Sequence, residues 1–125
     1  MSATAAALQK KLETESIAYQ SIQKEFAQAV ESRQKLDSQL QENKLVQEEF
    51  ALLKDDANIY KLIGPVLVKQ DKPEAKTNVD KRIDFIQAEI QRVEKQIKDL
   101  QEKSEKKKME LVQTQTMIQQ QMAAK

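Results

Sequence analysis

The sequence predicts a mainly α-helical fold in which two long helices form an antiparallel coiled coil joined by a single β-hairpin. Three observations lead to this prediction: few Gly, Pro and aromatic residues, an apolar heptad repeat in both halves, and a short β-branched segment between them. The 125 residues are expected to form one domain, with a first helix arm over 1–55, a hairpin over 58–70 and a second helix arm over 72–125.

The first helix arm is predicted from apolar residues that recur at alternating steps of four and three. Nine of the thirteen positions reached in this way from Leu8 are apolar, and most residues between them are charged or amide side chains, as in a coiled-coil seam. The positions are Leu8, Leu12, Glu15, Tyr19, Ile22, Phe26, Ala29, Arg33, Leu36, Leu40, Asn43, Gln47 and Phe50.

The second helix arm shows the same repeat from Val79, and its first seven positions are all apolar. The full set is Val79, Ile83, Ile86, Ile90, Val93, Ile97, Leu100, Ser104, Lys107, Leu111, Thr114, Ile118 and Gln121. Because the two arms are similar in length, they can fold back on each other and cover both seams without a second chain.

The segment between the arms is predicted to form two strands, Ile59–Ile63 and Val66–Gln70, around the turn Gly64-Pro65. A lone hairpin is marginally stable in water, and its apolar residues have no obvious cover in the same chain. We therefore expect strands of other chains to complete it. The residues expected to make this assembly contact are Ile59, Tyr60, Leu62, Ile63, Val66, Leu67 and Val68.

The sequences Glu49–Leu53, Ile59–Asp71 and Lys81–Ile86, in a helix–hairpin–helix order that covers the whole chain, resemble a β-class subunit of prefoldin. The resemblance implies a heterohexamer of two α-class and four β-class subunits, whose hairpins form an intersubunit β-barrel. It also implies an ATP-independent holdase that captures unfolded chains, notably actin and tubulin, and passes them to the cytosolic group II chaperonin. The single short hairpin is typical of the β class.

The seam becomes polar toward residues 104–125, where an antiparallel pairing also brings the two chain ends together. Methionine is flexible and polarizable, which suits contacts with many different surfaces. This tip is the predicted client-binding site, although its methionines could instead fill gaps in the coil. The residues expected there are Leu8, Leu12, Met109, Leu111, Met117, Ile118 and Met122.

Composition argues against several other functions. The chain has no Cys and no His, which excludes disulfides, thiolate or imidazole metal sites and most acid–base catalysis. The net charge of +1 gives no field to attract nucleic acid or a membrane, and no signal peptide or membrane span is evident. We expect a cytoplasmic protein that is not an enzyme and has no cofactor. The alternative is a structural coiled-coil tether or scaffold subunit without client binding.

Overall fold

The computed structural model describes residues 2–124 and contains two helices and two strands. Helix α1 spans Ser2–Leu52, strand β1 spans Ile59–Ile63, strand β2 spans Val66–Gln70, and helix α2 spans Lys72–Ala123. The mainly helical fold with one hairpin is therefore confirmed, and both strands have the bounds that the sequence predicts. Neither helix, within residues 2–124, is long and apolar enough to cross a membrane.

The chain divides into two compact units, and both contain parts of α1 and α2. Unit 1 consists of Met1–Glu31 with Glu94–Lys125, and unit 2 consists of Ser32–Val93. In unit 1 Gln23 donates a hydrogen bond to Ser104, and Glu15 accepts one from Thr114 further along α2. In unit 2 Gln47 Nε2 donates to Asp80 Oδ1 at 2.8 Å. In unit 1, residues earlier in α1 therefore contact residues later in α2, which is the antiparallel order predicted from the heptads.

The seam positions predicted from the heptad repeat are the covered positions of both helices. All thirteen positions of the second arm are buried or half-buried, and in the first arm only Gln47 is exposed. The apolar core of unit 2 is a cluster of Leu40, Val79, Ile83, Ile86 and Ile90, with Leu36 and Phe50 packed against it.

Unit 1 has a much smaller apolar core than unit 2. Among its described residues only Ala29 and Leu100 are buried and apolar, while the buried polar residues are Glu15 and Thr114. A buried Ala removes little apolar surface from water, so the hydrophobic stabilisation of unit 1 is correspondingly small. Fewer apolar side chains are therefore buried in unit 1, which contains the polar seam positions that the sequence shows between residues 104 and 125.

Helix α1 ends at Leu52 rather than near residue 55, and a residue from α2 covers its end. The last turn of α1 contains no basic residue. Instead Lys72 Nζ donates to the carbonyl oxygens of Leu53 at 3.0 Å and Lys54 at 3.4 Å. A cation at this position satisfies the Leu53 carbonyl, shares the Lys54 carbonyl with the Ala57 N–H at 3.0 Å, and interacts favourably with the helix dipole.

Helix α2 begins at Lys72, directly after the hairpin, as the sequence predicts. The carbonyl of Asp71 accepts the first helical hydrogen bond from the Ala75 N–H at 2.9 Å, which is the arrangement of an N-cap residue. Pro73 lies in the first turn, where its missing N–H costs no helical hydrogen bond.

Candidate interaction surfaces

The hairpin owes its tight turn to Gly64 and Pro65. The strands pair in antiparallel register with Ile63 opposite Val66 and Leu62 opposite Leu67, which leaves two residues for the turn. Gly64 has a φ of 58°, and Pro65 is restricted to a φ near about −65°. A positive φ followed by a negative one is the combination of a type II′ turn, whose twist matches that of the strands.

Both faces of the hairpin are apolar and exposed. Side chains alternate between faces along a strand, and directly paired residues share a face. One face therefore carries Ile63, Val66 and Val68, and the other carries Tyr60, Leu62 and Leu67. These six side chains are between 44% and 68% exposed.

Of the seven predicted assembly residues, Ile59 is the only one that this chain buries itself, since it lies at the base of the hairpin and is 8% exposed. Each strand also has one edge without a strand partner among the described residues, because the sheet contains only β1 and β2. The hairpin thus exposes two open edges and two apolar faces. Strands that are apolar on both faces are usually covered on both faces by other parts of a protein. We call the six exposed apolar residues of the hairpin the hairpin surface: Tyr60, Leu62, Ile63, Val66, Leu67 and Val68.

The predicted tip residues all lie in unit 1, but they fall into two groups. Leu8, Leu12, Leu111 and Ile118 lie on the seam and are half-buried. Met109, Met117 and Met122 are at least half exposed. The methionine side chains therefore extend mainly into solvent.

Two exposed apolar residues of unit 1 were missing from the sequence prediction. Ile17 on α1 and Val112 on α2 are both more than half exposed. Neither residue falls on a heptad position. The sequence feature that could have identified them is an apolar residue on the otherwise polar side of its helix. We use the name tip surface for the five large apolar residues that are exposed in the described part of unit 1: Ile17, Met109, Val112, Met117 and Met122.

The end of unit 1 also contains a small cavity. A cavity of about 60 Å³ lies between the helices and is lined by Ala5, Gln9, Ile118, Gln121 and Met122. The cavity is open to solvent, since Gln9 and Met122 in its lining are exposed. It lies beside the seam positions Ile118 and Gln121.

Lys107, which occupies a seam position, is held by a residue of its own helix. Its Nζ donates to Glu110 Oε2 at 2.8 Å. This hydrogen bond raises the pKa of Lys107, with the charges of Glu110 and Glu15 acting in the same direction. It also lowers the pKa of Glu110 below its usual value. The lysine is therefore a charged member of the seam rather than a free contact for a partner.

The described residues contain no group of His, Cys, Asp or Glu that could hold a metal ion. The fold defines a protein of two paired helices and a hairpin, with large exposed apolar side chains on the hairpin, in unit 1 and, at Leu45, Leu52 and Phe85, on the helices of unit 2. A family model described as prefoldin subunit matches residues 9–121. The chain belongs to the prefoldin family, and its general role is that of a chaperone subunit.

Individual relatives agree with this assignment. The chain is 48% identical over 118 residues to prefoldin subunit 6 of Homo sapiens, covering 94% of this chain and 92% of the human protein. It is 52% identical over 94 residues to prefoldin subunit 6 of Saccharomyces cerevisiae, covering 75% and 82%. The crystal structure of the prefoldin beta subunit from Thermococcus strain KS-1 superposes with a TM-score of 0.73 at 27% identity, covering 81% of this chain and 89% of that one.

Proposed function

We propose that this chain is a β-class subunit of a cytoplasmic, ATP-independent prefoldin heterohexamer that captures unfolded polypeptides and delivers them to the group II chaperonin. In this proposal the hairpin surface joins an intersubunit β-barrel with other α- and β-class subunits. The tip surface, together with half-buried Leu8, Leu12, Leu111 and Ile118, contacts unfolded clients such as actin and tubulin.

The observation that carries the assembly part is the exposure of apolar side chains on both faces of the hairpin. Burying an apolar side chain completely stabilises by about 1.5–3 kcal/mol, so covering six half-exposed residues would contribute several kcal/mol. A tether that needs only its helices has no use for such a surface. A barrel shared between subunits would cover the faces and also pair both open edges.

The assembly part is tested with Leu62→Asp and Val68→Asp combined, one on each face. Each substitution forgoes roughly 1 kcal/mol of burial and adds a carboxylate whose desolvation costs several kcal/mol. Co-produced with the other subunits, this variant should stay out of the complex in native mass spectra while its helical circular dichroism is retained.

The matched control for the hairpin variant is Lys61→Gln with Lys69→Gln. It lowers the net charge by the same amount in the same strands but removes no apolar area, so it should assemble. Incorporation of the aspartate variant at the level of this control would contradict the hairpin assignment.

The client part is tested in the assembled complex with Met109→Ser, Met117→Ser and Met122→Ser combined. These exposed side chains contribute little to packing, so assembly should survive, whereas apolar contact area at about 25 cal/mol per Å² is lost to a client. Suppression of the aggregation of an unfolded protein should weaken when the chaperone is limiting, because binding by several subunits masks a single loss at high ratios.

The control for the methionine variant is Gln113→Ser, Gln119→Ser and Gln120→Ser, at three exposed positions of the same helix segment. Gln and Met have similar helix propensities, so both variants lose the same intrinsic helicity. Equal suppression by the two variants and the parent at every ratio would favour the tether or scaffold alternative for this subunit's tip.

A further inference from the structure

One buried contact between the two helices of unit 1 is polar. Thr114 is 1% exposed and Glu15 is 7% exposed. The Thr114 hydroxyl lies 3.2 Å from Glu15 Oε1 and 3.1 Å from Oε2, so its proton is shared between the two carboxylate oxygens. Among the described residues, Thr114 alone is less than 2% exposed.

The surroundings of this pair supply limited charge compensation. Lys11, one turn earlier on α1, lies 3.8 Å from Glu15 Oε1, but its side chain is mostly in solvent. Lys107 donates its hydrogen bond to Glu110 at 2.8 Å, and the charge of Glu15 also acts on it. The hydroxyl of Thr114 is the hydrogen-bond donor that compensates this buried carboxylate, beside the charges of Lys11 and Lys107.

The Glu15–Thr114 pair fixes the register of α1 against α2 in unit 1, but it contributes little to the stability of their pairing. A shift of α2 along α1 would separate Glu15 from Thr114 and leave a carboxylate buried without its donor, which is strongly unfavourable. A single polar seam position is a known way for coiled coils to fix register at a cost in stability. Apolar side chains of similar volume at the same two positions would bind the helices more tightly.

The neighbours of the pair are the apolar residues assigned to client contact. Leu111 and Ile118 lie about one turn before and after Thr114 on α2, and Leu12 lies about one turn before Glu15 on α1. All three are half-buried in the seam. They become fully accessible only if the helices of unit 1 separate locally.

We propose that Glu15 and Thr114 are positioning residues that set the register of the helices in unit 1 while keeping their pairing weak enough to open. Opening then presents Leu12, Leu111 and Ile118 to an unfolded chain, and closing restores one alignment. The client part of this inference rests on the proposed function, whereas the register and the weak pairing do not.

The test is amide hydrogen exchange, followed by mass spectrometry of the assembled complex, in peptides covering 8–20 and 108–120. Glu15→Leu combined with Thr114→Val replaces the polar pair by an apolar one and should slow exchange there about tenfold. Thr114→Val alone leaves the carboxylate without its donor and should accelerate exchange about tenfold. Glu15→Gln keeps an acceptor for the hydroxyl and should exchange close to the parent rate.

The matched control is Thr116→Val, the same substitution two residues along α2. Thr116 is exposed, and its hydroxyl donates to the Val112 carbonyl of its own helix at 2.9 Å. Its loss should leave exchange in both peptides unchanged. The inference is overturned if Thr114→Val behaves like Thr116→Val, or if the apolar pair exchanges at least as fast as the parent.

Aggregation suppression by the same complexes separates the two proposals. The complex with Glu15→Leu and Thr114→Val should capture an unfolded client less well than the parent, because its helices open less often. Slower exchange with unchanged capture would overturn the opening step. Absence of capture by the parent complex itself would instead contradict the proposed function, while the exchange measurements would still test the register.

Discussion

Lys72 is expected to stabilise the end of α1, and its replacement by Met tests this contact. The side chain is 22% exposed and donates to two carbonyls beyond the last helical residue. A partly buried cation at a helix C-terminus is worth about 1–2 kcal/mol. The ion pair with Asp55 at 3.9 Å adds little, because that carboxylate is fully exposed.

Lys72→Met keeps the length of the side chain and removes its charge and its donors. A loss of about 1–2 kcal/mol corresponds to roughly 5–30-fold faster exchange of amides in the last turn of α1 and in residues 53–58. The assay is hydrogen exchange at peptide resolution, with the hairpin strands as an internal reference.

Lys76→Met is the appropriate control for this experiment. It removes the same charge one turn further along α2, from an exposed side chain. Lys72 lies nearer than Lys76 to the positive end of the α2 dipole, so losing its charge should stabilise α2 slightly more, and faster exchange at the end of α1 in Lys72→Met alone therefore reports the lost contact with α1. Equal exchange in residues 50–58 of the two variants would refute the assignment of Lys72 to the end of α1.

Three further predictions concern the turn, the core and the seam. Gly64→Ala should destabilise the hairpin by about 1 kcal/mol, because a positive φ is strained for Ala, although nothing lies within 4 Å of the added methyl. The measurement is the fraction of the chain that assembles, and Gly64→Asn should retain more assembly than Gly64→Ala. Ile86→Ala should lower the free energy of unfolding by about 2–5 kcal/mol, since it creates a cavity in the core cluster; urea unfolding measures it, and a loss under 1 kcal/mol would contradict the packing. An NMR titration should give a pKa of Glu110 below its ordinary value of 4.5, because the Lys107 hydrogen bond lowers it, and the pKa should return toward 4.5 in Lys107→Met. The contact between Lys107 and Glu110 thus stabilises the fold above pH 4.5, and this stability is lost as the pH falls through the lowered pKa.

The residues that the sequence predicted best are those set by local periodicity. The heptad steps identified the covered face of α2 at each of its positions, because a helix repeats its orientation at a fixed interval. The strands around Gly64 were predicted with their bounds, since a Gly-Pro turn between β-branched runs restricts where pairing can begin.

Contacts between distant residues were not predictable in the same way. Glu15 and Thr114 were recognised as polar seam positions, but nothing in either helix alone shows that they face each other. Lys72 contacts the end of α1 only because the hairpin returns α2 to that point. Ile17 and Val112 were missed because a rule that selects seam positions passes over apolar residues on the outer face.

Native mass spectrometry of the endogenous complex shows whether the chain functions as one subunit of a shared assembly. We expect a six-chain assembly of two α-class and four β-class prefoldin subunits that includes this chain, and we expect the chain to be absent from it when Leu62 and Val68 are both replaced by Asp. Recovery of the chain only as a monomer, as a homo-oligomer or with unrelated partners would contradict this expectation.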